Sequence, residues 1–339
     1  MPDNKLIAIG IIGAGYWGPN LIRNFSGLEN CRVKYVCDLD INRLSPIARQ
    51  YPNIKTTTLS QDLFGDAELD AVVIATPVFT HFKLAEQALE ADKHVLLEKP
   101  MAASVRECEI LRSLAEERKL ALMVDHTFLY TGAVRKIKEL VEQGELGELY
   151  YFDSERINLG LIQPDVNVLW DLAPHDISIM NHIFAGIKPV SVFAIGTRHV
   201  TKHAYEMAHL TVRFEQGIVG HIHASWLSPI KIRKILIGGS KKMVFYDDIH
   251  PSEKLKIYDK GVTVDFAQET SMTPIYRSGD VYIPRLDEEE ALLREARHFL
   301  ACIRAEAKPL TDASAGLAVV RILEAADASL NSGNAVTLA

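Results

Sequence analysis

Apolar, β-branched runs recur through the first third of the chain, at residues 6–12, 31–37, 71–75, 95–97 and 121–124. Between most of them the apolar positions take helical spacing, at 17–27, 41–51, 81–91 and 105–119. Short all-apolar runs such as "AVVIA" suit parallel strands, because a strand covered on both faces needs no polar side. Strands alternating with helices imply right-handed crossovers, so the pattern predicts a doubly wound parallel sheet of Rossmann type over residues 1–125.

The texture changes after that. A helical pattern at 133–143 is followed by long stretches in which apolar and polar residues alternate: "VSVFAIGTRHV", "AHLTVRFEQGIVGHIHASW", "KIRKILIGGSKKMVFYDD" and "KLKIYDK". "EQG" and "GGSKK" read as hairpin turns inside those stretches. Residues 126–339 are therefore expected to form an α+β domain with a large, mostly antiparallel open sheet, one face of it wet or turned to a partner. Helical spacing returns at 288–305 and 313–331.

Composition narrows the classes. A chain of 339 residues fits two cores better than one. A net charge of −7 provides no basic field, which argues against nucleic acid as a partner. No stretch reaches the roughly 18 apolar residues of a membrane span, and glycines interrupt the opening apolar run too early for a signal-peptide core. Cys31, Cys37, Cys108 and Cys302 are scattered without a CxxC pair, as expected of reduced thiols in the cytoplasm. No metal is expected, since His221 and His223 alternate on one strand without a third ligand nearby.

Candidate chemistry gathers at strand ends. Gly13, Gly15 and Gly18 form GxGxxG between the first strand and the first helix, the spacing of a dinucleotide pyrophosphate turn. Asp38 ends the second strand and can accept from both ribose hydroxyls of an adenosine. Leu39 follows it rather than an arginine, which favours NAD over NADP. Thr76 and Pro77 end the fourth strand, with His81 a few residues on, as a chemical or a packing residue. In "HVLLEKPMAAS" an apolar strand runs into Glu98, Lys99 and Pro100. A lysine there is costly unless a ligand oxygen needs it. In "NVLWDLAPHDISIM", Asp171 and His175 are four apart and share one face of a helix.

"GIIGAGYWGPNLIRNF", "DAVVIATPVFTHFKLAEQALEADKHVLLEKPMA" and "WDLAPHDISI" together resemble the glucose–fructose oxidoreductase and inositol dehydrogenase family, Gfo/Idh/MocA. The resemblance implies a two-domain NAD(P)-dependent sugar or polyol oxidoreductase. The long second-domain sheet, able to pack face to face with a copy of itself, is expected to give a homodimer or homotetramer. The resemblance assigns the cofactor to Gly13, Gly15, Tyr16, Trp17, Gly18, Asp38, Thr76, Pro77, His81, Glu98, Lys99 and Pro100, with a cis bond before the proline. It makes Lys99, Asp171 and His175 the catalytic set, with Lys99 stabilising the alkoxide and His175 as general base. Ala173, Asn167, Val168 and Val78 depart from the family pattern without touching those side chains. "DSERINLGLIQPDVNVLWDLAPHD" looks most like the branch that oxidises C3 of a nucleotide-linked sugar, such as UDP-N-acetylglucosamine or its uronate. Arg156 and Asn158 would then meet a diphosphate or a sugar hydroxyl, or pair with Glu155 or Asp153 across the sheet. Tyr130 would face substrate or pack in a core. Other outcomes are an inositol or free-sugar dehydrogenase, an NAD-recycling glycoside hydrolase, or a non-catalytic NAD-binding protein.

Overall fold

The computed structural model describes residues 6–163, 165–265 and 273–338. They divide into two units, Met1–Tyr130 with Glu289–Arg321, and Thr131–Glu288 with Ile322–Ala339.

The first unit alternates strand and helix: β1 (Ile7–Ile12), α1 (Gly18–Ser26), β2 (Cys31–Cys37), α2 (Ile41–Gln50), β3 (Lys55–Thr57), α3 (Gln61–Phe64), β4 (Ala71–Ile74), α4 (Val78–Glu90), β5 (His94–Leu97), α5 (Val105–Arg118) and β6 (Leu122–Val124). The sheet has six strands in the order β3-β2-β1-β4-β5-β6, every pairing parallel. β1 and β4 are buried at every position, as their unbroken apolar runs require. The order in which strands are added reverses between β1 and β4, so the carboxyl ends of these parallel central strands open onto the crevice where such sheets bind ligands.

The second unit opens with α6 (Gly132–Glu142), β7 (Leu149–Leu159) and α7 (Val168–Ile183). β8 (Pro189–Thr197), β9 (Met207–Phe214), β10 (Val219–Ser225), β11 (Leu227–Gly239), β12 (Met243–Asp247), β13 (Leu255–Asp265) and β14 (Thr273–Tyr282) follow. A nine-stranded sheet runs β14-β13-β12-β11-β7-β10-β9-β8-β15, with the last strand Val336–Thr337. Among the described pairings of this second sheet, β7 and β10 alone are parallel. The expected hairpin turns are present, with Gln216 and Gly217 at positive φ between β9 and β10 and residues 240–242 joining β11 to β12. α7 packs on one face of the sheet, against β7, β9 and β10. On the other face His209 stands opposite His223, and His223 opposite Glu155.

α8 (Ala291–Ile303) belongs to the first unit although it comes late in the chain. Leu292, Ala296, Phe299 and Leu300 enter the same core as β1, β2 and α1, where Phe299 meets Phe25 edge to face at 6.4 Å. The first core thus takes in residues beyond 1–125, because the apolar stripe of α8 completes it. The residues of α9 (Ala313–Ser332) are shared between the two units. No described helix is long and apolar enough to cross a membrane.

Candidate active site

Gly13 follows β1 with φ +104°, and a Cβ there would lie 2.3 Å from the Ala75 carbonyl oxygen. A Cβ on Gly18 would come within 2.2 Å of the Gly13 carbonyl oxygen, so only glycine lets α1 start this close to the turn. Gly15 differs: its Cβ position has only Arg43 Nη1 nearby, at 3.6 Å, and the backbone there faces open space beside the start of α1. That is the cradle a pyrophosphate needs. The Asp38 carboxylate accepts from the Ala14 N–H at 2.7 Å and the Asp40 N–H at 2.8 Å, which fastens it at the end of β2. Arg43, absent from the sequence reading, brings Nη1 to 3.6 Å from Asp38 and Nε to 3.7 Å from Asp40. Tyr16, Leu39, Ile41 and Phe79 are exposed apolar side chains on the segments after β1, β2 and β4. The residues present fit a dinucleotide.

At the next strand ends, the Thr76 and Thr80 hydroxyls are 2.7 Å apart and the Thr80 hydroxyl donates to the Pro77 carbonyl. His81 is buried, with Nδ1 2.8 Å from the Pro100 carbonyl oxygen and Nε2 2.7 Å from that of Thr76. It braces the end of β4 against the turn after β5, a packing role rather than a contact offered to cofactor. Burial holds its pKa down, partly offset by the two carbonyls. Lys99 follows β5 through a cis bond to Pro100, and its backbone N–H meets the Glu98 carboxyl at 3.0 Å. Its ammonium lies close enough to lower the pKa values of His81, Glu98 and His126.

Behind Lys99 lies a group of buried acids that sequence reading missed. Asp125, just after β6, accepts from Trp17 Nε1 at 3.0 Å and from the Thr127 hydroxyl, which ties the glycine turn to the β6 end. Glu295 of α8 is 0% exposed and sits beside it. Burial, then the neighbouring Asp125 charge, pushes the Glu98 and Glu295 carboxyls well above the usual carboxylate range. Burial likewise pushes His126 down to about 4, so it is neutral at pH 7. Tyr130 is 4% exposed, with its ring 5.7 Å from His298. Of its two expected placements, substrate contact or core, it takes the core of the first unit: after β6 the chain turns inward through a 3₁₀ turn, Thr127–Tyr130.

In the second unit, Asn167 caps α7, its side chain accepting from Leu169 N–H at 3.0 Å and Trp170 N–H at 3.3 Å. Asp327 of α9 accepts from Asn167 Nδ2 and from Trp170 Nε1, both at 2.7 Å, and pins that helix start. Asp171 and His175 follow on one face, both half-buried. Pro174 between them withholds the N–H that the Trp170 carbonyl would otherwise accept within the helix. Trp226, buried, donates its indole N–H to Asp171 at 2.9 Å. Asn158 reaches the same place: a Cβ on Gly160 would lie 2.7 Å from Asn158 Nδ2 and 3.3 Å from Trp226 Cδ1. Asp171 and Asn158 are thus brought together around Trp226, with His175 one turn along α7 from Asp171.

Arg156 is not brought there. Its guanidinium is 4% exposed and meets Asp176 with two bonds, at 2.7 and 3.0 Å. The side chain points into the core under α7, where a buried cation needs a fixed carboxylate, so its expected contact with a diphosphate is corrected to a structural ion pair. Pairing with Glu155 or Asp153 is not what it does either.

The chain matches two family models, the NAD-binding Rossmann oxidoreductase domain over residues 7–126 and the Gfo/Idh/MocA C-terminal domain over 134–245. It is 28% identical over 331 residues to UDP-N-acetylglucosamine 3-dehydrogenase of Acidithiobacillus ferrooxidans, covering 92% of this chain and 93% of that one. The solved structure of that dehydrogenase superposes with TM-score 0.80 at 26% identity, over 96% and 98% of the two chains. It is 23% identical to the NADP-dependent scyllo-inositol 2-dehydrogenase of Bacillus subtilis, over 69% of this chain and 62% of that one. The fold is shared with GenD2 of gentamicin A biosynthesis, solved in complex with NAD, at TM-score 0.84 and 19% identity over 99% and 97% of the two chains. A glycine cradle before α1, Asp38 fastened at the end of β2 and these matches across both units agree: the chain is an NAD-binding oxidoreductase of the Gfo/Idh/MocA family.

Proposed function

We propose that the protein oxidises a secondary hydroxyl, most fittingly C3, of a nucleotide-linked sugar such as UDP-N-acetylglucosamine or its uronate. The observation that carries this reading is the length of the likeness to UDP-N-acetylglucosamine 3-dehydrogenase, 92% of this chain against 69% for the inositol dehydrogenase. NAD supplies the hydride acceptor. His175 takes the hydroxyl proton as general base, the role a neutral imidazole fills. Lys99 hydrogen-bonds the same oxygen and stabilises its alkoxide character. Asp171, oriented by the Trp226 indole, holds His175 or a neighbouring hydroxyl. Asn158 serves the sugar, and Gly13, Gly15, Tyr16, Trp17, Gly18, Asp38, Thr76, Pro77, Glu98 and Pro100 form the cofactor half. Buried, reduced cysteines support a cytoplasmic setting. Exposed Phe193, Ile195 and Leu236 on the open face of the large sheet support a homo-oligomer.

The test is NADH formation across UDP-N-acetylglucosamine, its uronate, N-acetylglucosamine and the inositols. The reading expects the two nucleotide sugars to be preferred and a 3-keto sugar to appear in step with NADH. Preference for an inositol, or no NADH with any nucleotide sugar, would overturn it.

A further inference from the structure

The connection between β8 and β9 carries Arg198, His199, Lys202 and His203, four cationic or protonatable side chains within six residues of a chain whose net charge is −7. All four are exposed. Among the described residues no carboxylate forms an ion pair with Arg198 or Lys202. Exposed loops of this kind are usually loosely held. This one is clamped from beneath by Glu206, 0% exposed, whose carboxylate accepts the backbone N–H groups of His199, Val200 and Thr201. Burial alone would raise the Glu206 pKa, but those three donors outweigh it and bring it down to about 2. The guanidinium of Arg198 lies over the Tyr205 ring, 4.0 Å from its centre. A stacked guanidinium keeps its in-plane N–H edge for a phosphate. A buried ionised carboxylate is costly, and here it fixes the shape of an exposed cationic loop.

The loop is also tied to the residues proposed to hold the sugar. The Tyr205 carbonyl accepts the Val168 N–H at the start of α7, at 3.0 Å. The Glu206 carbonyl accepts the Trp226 N–H at 2.9 Å, and the Trp226 indole donates to Asp171. Val200 in the loop, with Leu159 and Leu161 on the chain leaving β7, are 65%, 77% and 84% exposed. The Gly160 N–H binds that chain to the Trp226 carbonyl. Backbone bonds through Tyr205, Glu206 and Trp226 therefore tie a cationic loop and exposed apolar side chains to the segments that hold Asp171, the mix a diphosphate with its nucleoside would require.

We propose that the loop from Arg198 to His203 is the anion-recognition element of the substrate site and takes the diphosphate of the nucleotide-linked sugar. It rests on the function proposed above and adds the residues that read the nucleotide, a task that Arg156, locked to Asp176, does not perform.

The experiment uses the full chain loaded with NAD. UDP binding is measured by titration calorimetry, with steady-state kinetics on UDP-N-acetylglucosamine and N-acetylglucosamine 1-phosphate, for wild type, Arg198→Ala/Lys202→Ala and Arg198→Lys. The double variant should raise the UDP Kd and the nucleotide-sugar KM by about tenfold or more, with kcat within about threefold and NAD binding unchanged. Arg198→Lys should fall between, because a point charge replaces a planar fork. Unchanged UDP affinity and KM in the double variant would overturn the assignment. An equal rise in KM for the 1-phosphate would also overturn it, since one phosphate would then account for the loop. If wild type binds no UDP and oxidises only inositols or unlinked sugars, the proposed function fails first, a pattern distinct from a loop variant that behaves like wild type.

Discussion

Asp38 and Arg43 illustrate how much turns on single side chains. Leu39 after the strand-end aspartate favours NAD, and nothing at the next position contradicts it. Yet α2 returns a guanidinium from Arg43 to within 3.6 Å of Asp38, where the carboxylate holds it and would repel a 2′-phosphate. Asp38→Ser should therefore weaken NAD binding and shift the NADP-to-NAD ratio of kcat/KM toward NADP by about tenfold or more, the worth of one charge-assisted bond. Unchanged cofactor preference would show that Arg43 does not face the ribose. Glu295 makes a separate prediction. Its pKa is raised in the folded chain, so folding is favoured fully below the ordinary carboxyl range, and that contribution is lost as pH rises through the raised value. Glu295→Gln keeps the shape without the charge, and it should be more stable than wild type by on the order of 1 kcal/mol at about pH 9. Near pH 5 the two should denature alike in urea. Parallel pH profiles for the two proteins would mean that Glu295 is ionised in the fold.

At the scale of elements, the strands and helices with regular spacing were legible. β1, β2, β4, β5 and β6 fall on the apolar runs, and the hairpins turn at "EQG" and "GGSKK". β3 is three residues long and largely exposed, so no period marks it, and α3 is a single turn. α4 begins at Val78 rather than near His81 because Pro77, in an extended conformation, serves as its N-cap. α7 combines an internal proline with an almost fully buried surface, so no polar face advertises its 16 residues. In the candidate site, Gly13, Gly18, Asp38 and the Asp171–His175 spacing were readable because they act through local geometry. Trp226, Asp327 and Glu295 act across more than fifty residues of chain, and no spacing rule reaches them. Asp125 did leave a signal, an acid directly after the apolar "ALMV" run. Arg156 misled for the converse reason: an arginine on a strand beside the site looks like an anion ligand until its partner Asp176, one helix away, is known.

At the scale of the whole molecule, the two units contribute different chemistry. The first presents the dinucleotide cradle and Lys99 at the end of β5, the second presents α7 with Asp171 and His175 and the cationic loop before β9. The proposed reaction needs Lys99 and His175 to act on one oxygen, and a double-mutant cycle on kcat with saturating NAD and UDP-N-acetylglucosamine measures that directly. Lys99→Ala and His175→Ala should each cut turnover by about a hundredfold or more with NAD affinity retained, and the double variant should lose little beyond the worse single. Near-normal turnover in either single variant, or losses that simply multiply, would contradict a shared oxygen.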